Sequence, residues 1–296
     1  MSKIMQVLEK ARSEGVLTQS VRVSDERDTQ APLDAGGSQP APRAPGAHRA
    51  RKPREIPASG LLDPAVLRGV DLHLDTLHRP LSVASEQYRS LRNRVERLNA
   101  EGNLRAIGLT SAGKGEGKSL TSTNLAAVMA QDPTKRVLLV DADFRRPSLH
   151  RLLGVSVSPG LADLLEGKAA EDDVVRPTPF FGLHLVTAGE ARGHPAELAA
   201  SPALSEFIAR ARDHFDYVFV DTPPLHPMSD MSFLSECLDG VIVVVMANKT
   251  NRSLLRQVAE ILPPHKLLGT VFNRVDQLSG LGYGYGYGYG YGKAGY

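Results

Sequence analysis

The octapeptide Ala112-Gly113-Lys114-Gly115-Glu116-Gly117-Lys118-Ser119 constrains this chain more than any other feature. It follows the apolar run 104–110 and opens a helical stretch at 118–130, so it reads as strand, glycine-rich loop and helix in succession. Glycines let successive backbone N–H groups curl around a polyphosphate, and the helix N-terminus adds its partial positive charge. In such a loop Lys118 reaches the β and γ phosphates and Ser119 ligates Mg²⁺. The strict pattern begins with glycine, where this chain has Ala112, a small residue in the same place. The expected ligand is ATP with Mg²⁺, and the nucleotide-binding set is Gly113, Lys114, Gly115, Glu116, Gly117, Lys118, Ser119 and Leu120.

Apolar runs at 104–110, 136–141, 183–188, 216–221, 239–246 and 267–273 alternate with helical stretches at 118–130, 203–213, 229–237 and 251–262. Strands apolar on both faces and joined by helices predict an α/β fold: a P-loop NTPase domain with a mostly parallel sheet and helices on both faces. Two of the runs lead into carboxylates, Asp141-Ala142-Asp143 and Asp221-Thr222-Pro223-Pro224. Both groups then sit at the C-terminal ends of buried strands, where ligands bind in open α/β sheets. One carboxylate there would hold the water shell of Mg²⁺ while another accepts a proton from an attacking hydroxyl. Ordinary capping of the following helix is the simpler role, and it suits Asp141 better than Asp143 or Asp221.

With 35 basic and 33 acidic side chains among 296 residues, the formal charge of +2 is too small for a dedicated nucleic-acid binder. The single thiol, Cys237, rules out a disulfide scaffold or a Cys-rich zinc site and reads as a small core residue. A membrane span needs about 18 consecutive apolar residues, and the longest run, Val241 to Ala247, is far shorter. Ahead of the α/β pattern, residues 3–14 suit one short amphipathic helix and 20–59 a proline-rich disordered linker. Residues 41–54 of that linker hold five basic and no acidic side chains, a solvated run able to touch an anionic lipid surface. A helix is expected over 82–100, started by Pro80 and Ser82, with Tyr88, Leu91, Val95 and Leu98 on its apolar face.

Several motifs together resemble the bacterial tyrosine kinases (BY-kinases) of exopolysaccharide and capsule loci. They are the loop ending Gly115-Glu116-Gly117-Lys118-Ser119, the run Val137 to Pro147 containing Asp-Ala-Asp-Phe-Arg-Arg-Pro, and Val218 to Pro224. The Glu86-x-x-Arg89-x-x-Arg92 helix, the stretch Gly160 to Gly167 and a tyrosine-rich C-terminus add to them. The likeness covers residues 82–296, and the leader ahead of it is similar to that of the exosortase-linked exopolysaccharide subgroup. It implies tyrosine autophosphorylation in a P-loop fold, with Lys118, Asp141, Asp143 and Asp221 as catalytic residues and Ser119, Asp143 and Asp221 around the metal. It also implies that Asn273 contacts adenine, and that Glu86, Arg89 and Arg92 assemble the chain into a ring. On a helix these three fall on one face, suited to charge-assisted pairing with a neighbouring subunit. Lys114 departs from relatives that carry proline there. The implied partner is a membrane chain-length determinant, a polysaccharide co-polymerase, which would recruit this cytoplasmic protein to the inner face of the membrane.

The organisation expected is a short helix and linker over 1–60, a connection and oligomerisation helix over 61–102, the kinase domain over 103–278 and a tail over 279–296. Six of the eight tyrosines lie in the last fourteen residues: Tyr283, Tyr285, Tyr287, Tyr289, Tyr291 and Tyr296. Glycine between them leaves the tail free to enter a catalytic cleft, and about 14 Gly-rich residues reach roughly 20 Å. These tyrosines are the expected phosphate acceptors, with self-association of an alternating Gly-Tyr strand the other reading. A different function class, a MinD/ParA-like positioning ATPase, shares the P-loop. Such proteins carry a signature lysine five residues before the loop lysine, where this chain has Gly113.

Overall fold

The computed structural model describes residues 62–225 and 230–275. The expected helix over 3–14, the linker, its basic run and all six tail tyrosines lie outside the described residues.

In chain order the elements are α1 (Asp75–His78), α2 (Val83–Leu98), β1 (Ala106–Ser111), α3 (Lys118–Ala130), β2 (Val137–Asp141) and α4 (Leu149–Leu152). Then come α5 (Leu161–Leu165), α6 (Glu171–Val174), β3 (Arg176–Pro177), β4 (Leu183–Val186), α7 (Pro195–Ala199) and α8 (Pro202–His214). The last are β5 (Tyr217–Asp221), α9 (Asp230–Glu236), β6 (Gly240–Met246), α10 (Arg252–Ile261), a short 3₁₀ turn and β7 (Leu267–Asn273).

All seven strands join one sheet in the order β3-β4-β2-β5-β1-β6-β7. Only the short β3 runs antiparallel to its neighbour, β4. Strand alternation divides the apolar side chains between two cores. Val137 and Leu139 of β2 with Tyr217 and Phe219 of β5 face α1 to α4, while Leu138, Val140, Val218 and Val220 face α8 to α10. The six long apolar runs therefore form the parallel sheet expected of them. The helices of four or five residues, α4 to α7, are too short to show a helical period and were not foreseen.

Ser82 caps α2 as its sequence foretold, accepting the N–H of Ser85 at 3.2 Å. Val95 is buried, whereas Leu98, expected on the apolar face, is 54% exposed in the last turn. The segment ahead of α2 is more than the connection read from sequence. Leu74 and Leu77 are 0% and 1% exposed and pack into the core around α3, each worth about 1.5–3 kcal/mol of burial. Buried Asn124 of α3 ties the same segment down: its Oδ1 accepts from the N–H and hydroxyl of Thr76 at 3.1 and 2.8 Å. Its Nδ2 donates to the carbonyls of Leu120 and His73 at 3.0 and 3.3 Å. Cys237 is half-buried, its thiol donating to Leu234 O.

Candidate active site

Helix α3 starts at Lys118 because Gly117, its N-cap, holds φ at +95°, a left-handed conformation that glycine adopts without strain. A Cβ on Gly117 would lie 2.0 Å from Nδ2 of Asn273, so the loop has no room for a side chain there. Asn273, at the end of β7, donates that Nδ2 to the carbonyl of Glu116 at 2.8 Å, while its Oδ1 accepts from the N–H of Arg274. The carboxylate of Glu116 is turned inward, and its Oε1 accepts from Thr250 Oγ1 at 2.5 Å. Thr250 in turn accepts the N–H of Met246 at 3.0 Å. Ser111 Oγ donates to Gly113 O at 2.7 Å. The loop is thereby braced from the ends of β1, β6 and β7, and of these braces only Asn273 was singled out in the sequence. Lys114 and Gly115 are exposed, and Gly113, Ser119 and Leu120 are half-buried.

Lys118 extends along the C-terminal ends of β2 and β5. Its Nζ lies 2.8 Å from Asp143 Oδ2 and 3.5 Å from Asp221 Oδ2, and it donates to Ser119 Oγ at 3.2 Å. Asp141 and Asp221 are register partners on neighbouring parallel strands, so the fold itself forces these carboxylates together. The rest of Asp141 is committed to structure. Its Oδ2 accepts the N–H groups of Ser148 and Leu149 at 2.9 and 3.0 Å, and its Oδ1 accepts that of Asp143 at 3.2 Å. Asp141 thus shapes the turn that delivers Asp143 and opens α4.

Three carboxylates face one ammonium here, and none of them is well exposed to water. Burial, and next the charge of Asp221, push Asp141 up to about 7. Burial likewise raises Asp221, opposed by the ammonium of Lys118. Burial works against the charge of Lys118, but Asp221, Asp143 and Asp141 together outweigh it and hold the lysine protonated beyond its ordinary range. Both oxygens of Asp221 are buried, and they meet the Lys118 ammonium only at 3.5 Å, a cation already shared with Asp143. Buried carboxylates that outnumber the one ammonium beside them are what a hard divalent cation would relieve. Among the described residues no three His, Cys, Asp or Glu side chains form a cage for a bare metal ion. Mg²⁺ keeps several waters and binds through phosphates and one or two carboxylates.

On α2, Glu86 and Arg89 pair with each other at 2.5 Å, Glu86 being largely exposed. Arg92 turns inward, and its Nη1 donates to the carbonyl of Val128 in α3 at 3.3 Å. The structure therefore does not place the three on one free face: two remain at the surface as an ion pair, and the third packs on the helix that follows the P-loop.

The tyrosine-protein kinase YwqD of Bacillus subtilis is 35% identical to this chain over 208 residues, spanning 69% of this chain and 87% of that protein. The chain belongs to the bacterial tyrosine-kinase family of exopolysaccharide and capsule loci. It is an ATP-dependent tyrosine-protein kinase of that family. The putative tyrosine-protein kinase CapB of Staphylococcus aureus is 30% identical and matches over 87% of its length. The kinase domain of the Escherichia coli tyrosine kinase ETK superposes with a TM-score of 0.66 at 30% identity, over 74% of this chain and 86% of that one. The succinoglycan biosynthesis transport protein ExoP of Rhizobium meliloti matches over only 26% of its own length. A family model described as ParA, NUBPL iron-transfer P-loop NTPase, matches residues 103–273, which is the P-loop class read from the loop and sheet. Among the described residues no helix of this kinase is long and apolar enough to cross a membrane.

Proposed function

We propose that this kinase transfers the γ-phosphoryl group of Mg-ATP to its own C-terminal tyrosines, in trans within an oligomer, and thereby regulates exopolysaccharide polymerisation and export. The observation that carries the reading is the buried carboxylate set at the ends of β2 and β5, with the one ammonium of Lys118 shared between Asp143 and Asp221.

A tyrosine hydroxyl, with an unperturbed pKa of about 10, needs a proton acceptor and a neutralised phosphate before it attacks at neutral pH. Lys118 leaves its carboxylate partners for the β and γ phosphates, the Gly113–Ser119 amides cradle them, and Asn273 borders the adenine. Ser119 and Asp221 would hold the water shell of Mg²⁺, which when bound would supply positive charge to the phosphoryl group. With Lys118 withdrawn, Asp143 accepts the hydroxyl proton, and Asp141 keeps the turn that presents it. Tyr283, Tyr285, Tyr287, Tyr289, Tyr291 and Tyr296 are the acceptors. Glu86 and Arg89 join neighbouring copies, and a membrane co-polymerase activates the assembly and recruits it to the membrane. Six phosphates would add on the order of −9 to −12 charges to a chain of formal charge +2, enough to loosen a ring.

Incubation with Mg-ATP beside Lys118→Met and a chain ending at Gly280, followed by phosphate mapping in a mass spectrometer, tests this. Phosphate on the tail that vanishes in Lys118→Met is expected. Steady ATP hydrolysis with an unmodified tail would overturn the reading in favour of a positioning ATPase. The ring is tested by sedimentation before and after ATP, and an unchanged size while tail phosphate accumulates would refute the loosening.

A further inference from the structure

The turn after β2 is joined to the head of α9 by a contact between residues distant in the chain. Arg145, two residues beyond Asp143, donates Nε to Asp230 Oδ2 at 2.7 Å and Nη2 to Asp230 Oδ1 at 3.1 Å. Asp230 opens α9 and is 2% exposed, so its charge is removed from water and answered through both oxygens by one guanidinium. A two-point pair of this kind fixes orientation as well as separation, which a lysine ammonium cannot do. Its two residues follow β2 and β5 in the chain, adjacent strands on which Asp141 and Asp221 stand in register.

On the Arg145 side, the turn is built on the acidic residues themselves. The N–H of Arg146 donates to Asp143 Oδ1 at 3.0 Å, and those of Ser148 and Leu149 to Asp141 Oδ2. Arg145 lies inside that short loop, so where its guanidinium is held decides where the loop, and Asp143 with it, comes to rest. Asp230 is anchored at the head of a helix whose Met231 and Leu234 are buried in the same core as Ala142 and Phe144 of the turn.

We propose that Arg145 is a positioning residue for the kinase reaction. Through Asp230 it locks the turn carrying Asp143 at the tip of Lys118, and loss of the fork frees that turn while leaving the phosphate loop intact. This rests on the reading of Asp143 as a member of the catalytic set. The phosphate loop has its own braces in Ser111, Thr250 and Asn273, so the two halves of the site are held by separate contacts and respond separately.

Three full-length proteins decide the matter: wild type, Arg145→Lys, and Arg145→Asp combined with Asp230→Arg. Hydrogen exchange is followed peptide by peptide without nucleotide or metal, alongside kcat and KM for ATP. In Arg145→Lys, exchange over residues 142–149 should rise about tenfold with β1 and α3 unchanged. The kcat should fall about tenfold or more, with KM for ATP within about twofold of wild type. The reversed pair should recover part of both. Unchanged exchange at 142–149 overturns the proposal, and so does a rise spread evenly over the domain, which would mark a brace for stability alone. An Arg145→Lys protein with wild-type kcat overturns it too. If wild type itself phosphorylates no tyrosine, the functional reading fails, and the exchange comparison alone still accepts or rejects the lock.

Discussion

Asp141 makes the folding stability of the nucleotide-free kinase fall as pH rises from about 4 to about 7, opposite to ordinary acid denaturation. Its carboxyl is raised from 3.8 to about 7 by burial and by Asp221. Between those values the folded chain binds a proton that the unfolded chain has lost. The contribution is therefore complete below about pH 4, declines by about 1.4 kcal/mol per pH unit, and is gone above about pH 7. Its full size is on the order of 4 kcal/mol, at 1.36 kcal/mol per unit of pKa. Asp221, also raised by burial, acts in the same direction, and the two titrate as a pair. His150, lowered by burial, acts in the opposite direction, so the measurement compares wild type with Asp141→Asn. Asn keeps one oxygen for the amides of Ser148 and Leu149 but cannot ionise. Urea and thermal unfolding in EDTA at about pH 5, 5.75 and 6.5 should show wild type losing about 2 kcal/mol, or roughly 4–8 °C, relative to the variant. Mg²⁺ and ADP together should flatten the wild-type slope, since positive charge in the cluster favours ionised carboxylates. Equal slopes for the two proteins would refute the electrostatic account of the cluster.

Gly117→Ala forces a Cβ into Nδ2 of Asn273 and strains a φ of +95°, and calorimetry should find ATP binding weakened about tenfold or more with the circular dichroism unchanged. Leu74→Ala removes a side chain that is 0% exposed; denaturant unfolding should show a loss of about 2–5 kcal/mol, confirming that the segment before α2 is part of the domain. Thr250→Val takes away the hydroxyl on Glu116 Oε1, leaving both oxygens of that buried carboxylate without a donor at a cost of about 1–3 kcal/mol in a urea titration. Replacing both Glu86 and Arg89 by Ala should change unfolding free energy by only about 0.2–0.5 kcal/mol, while sedimentation reports loss of the larger species.

What could be read in the sequence was what is local. Gly117 and Lys118 sit side by side in the chain, and Asp141, Asp143 and Asp221 each end an apolar run, so a glycine-rich turn and strand-end carboxylates were visible without coordinates. Strand pairing then brought Asp141 against Asp221, a consequence of parallel register rather than of any spacing. Contacts between distant segments left no such trace. Arg145 and Asp230 are 85 residues apart, Thr250 and Glu116 are 134 apart, and nothing in one member of either pair points to the other. Leu74 and Leu77 escaped notice for a different reason: α1 has four residues, too few for a helical period to appear. Arg92 shares the spacing of Glu86 and Arg89 but turns to Val128 O, because a face of α2 wide enough to carry three charged residues also meets α3.

The dependence of the phosphate loop on Asn273 sets an order of events during synthesis. Residues 112–119 and all three aspartates leave the ribosome early, yet the carbonyl of Glu116 stays without its amide donor until β7 has been made and laid along β6. At about 5–20 residues per second the loop waits on the order of ten seconds for that strand. A nascent or truncated chain that stops short of β7 accordingly carries every acidic residue of the site and no finished place for ATP. The competence to consume nucleotide arrives only when β7 is laid along β6.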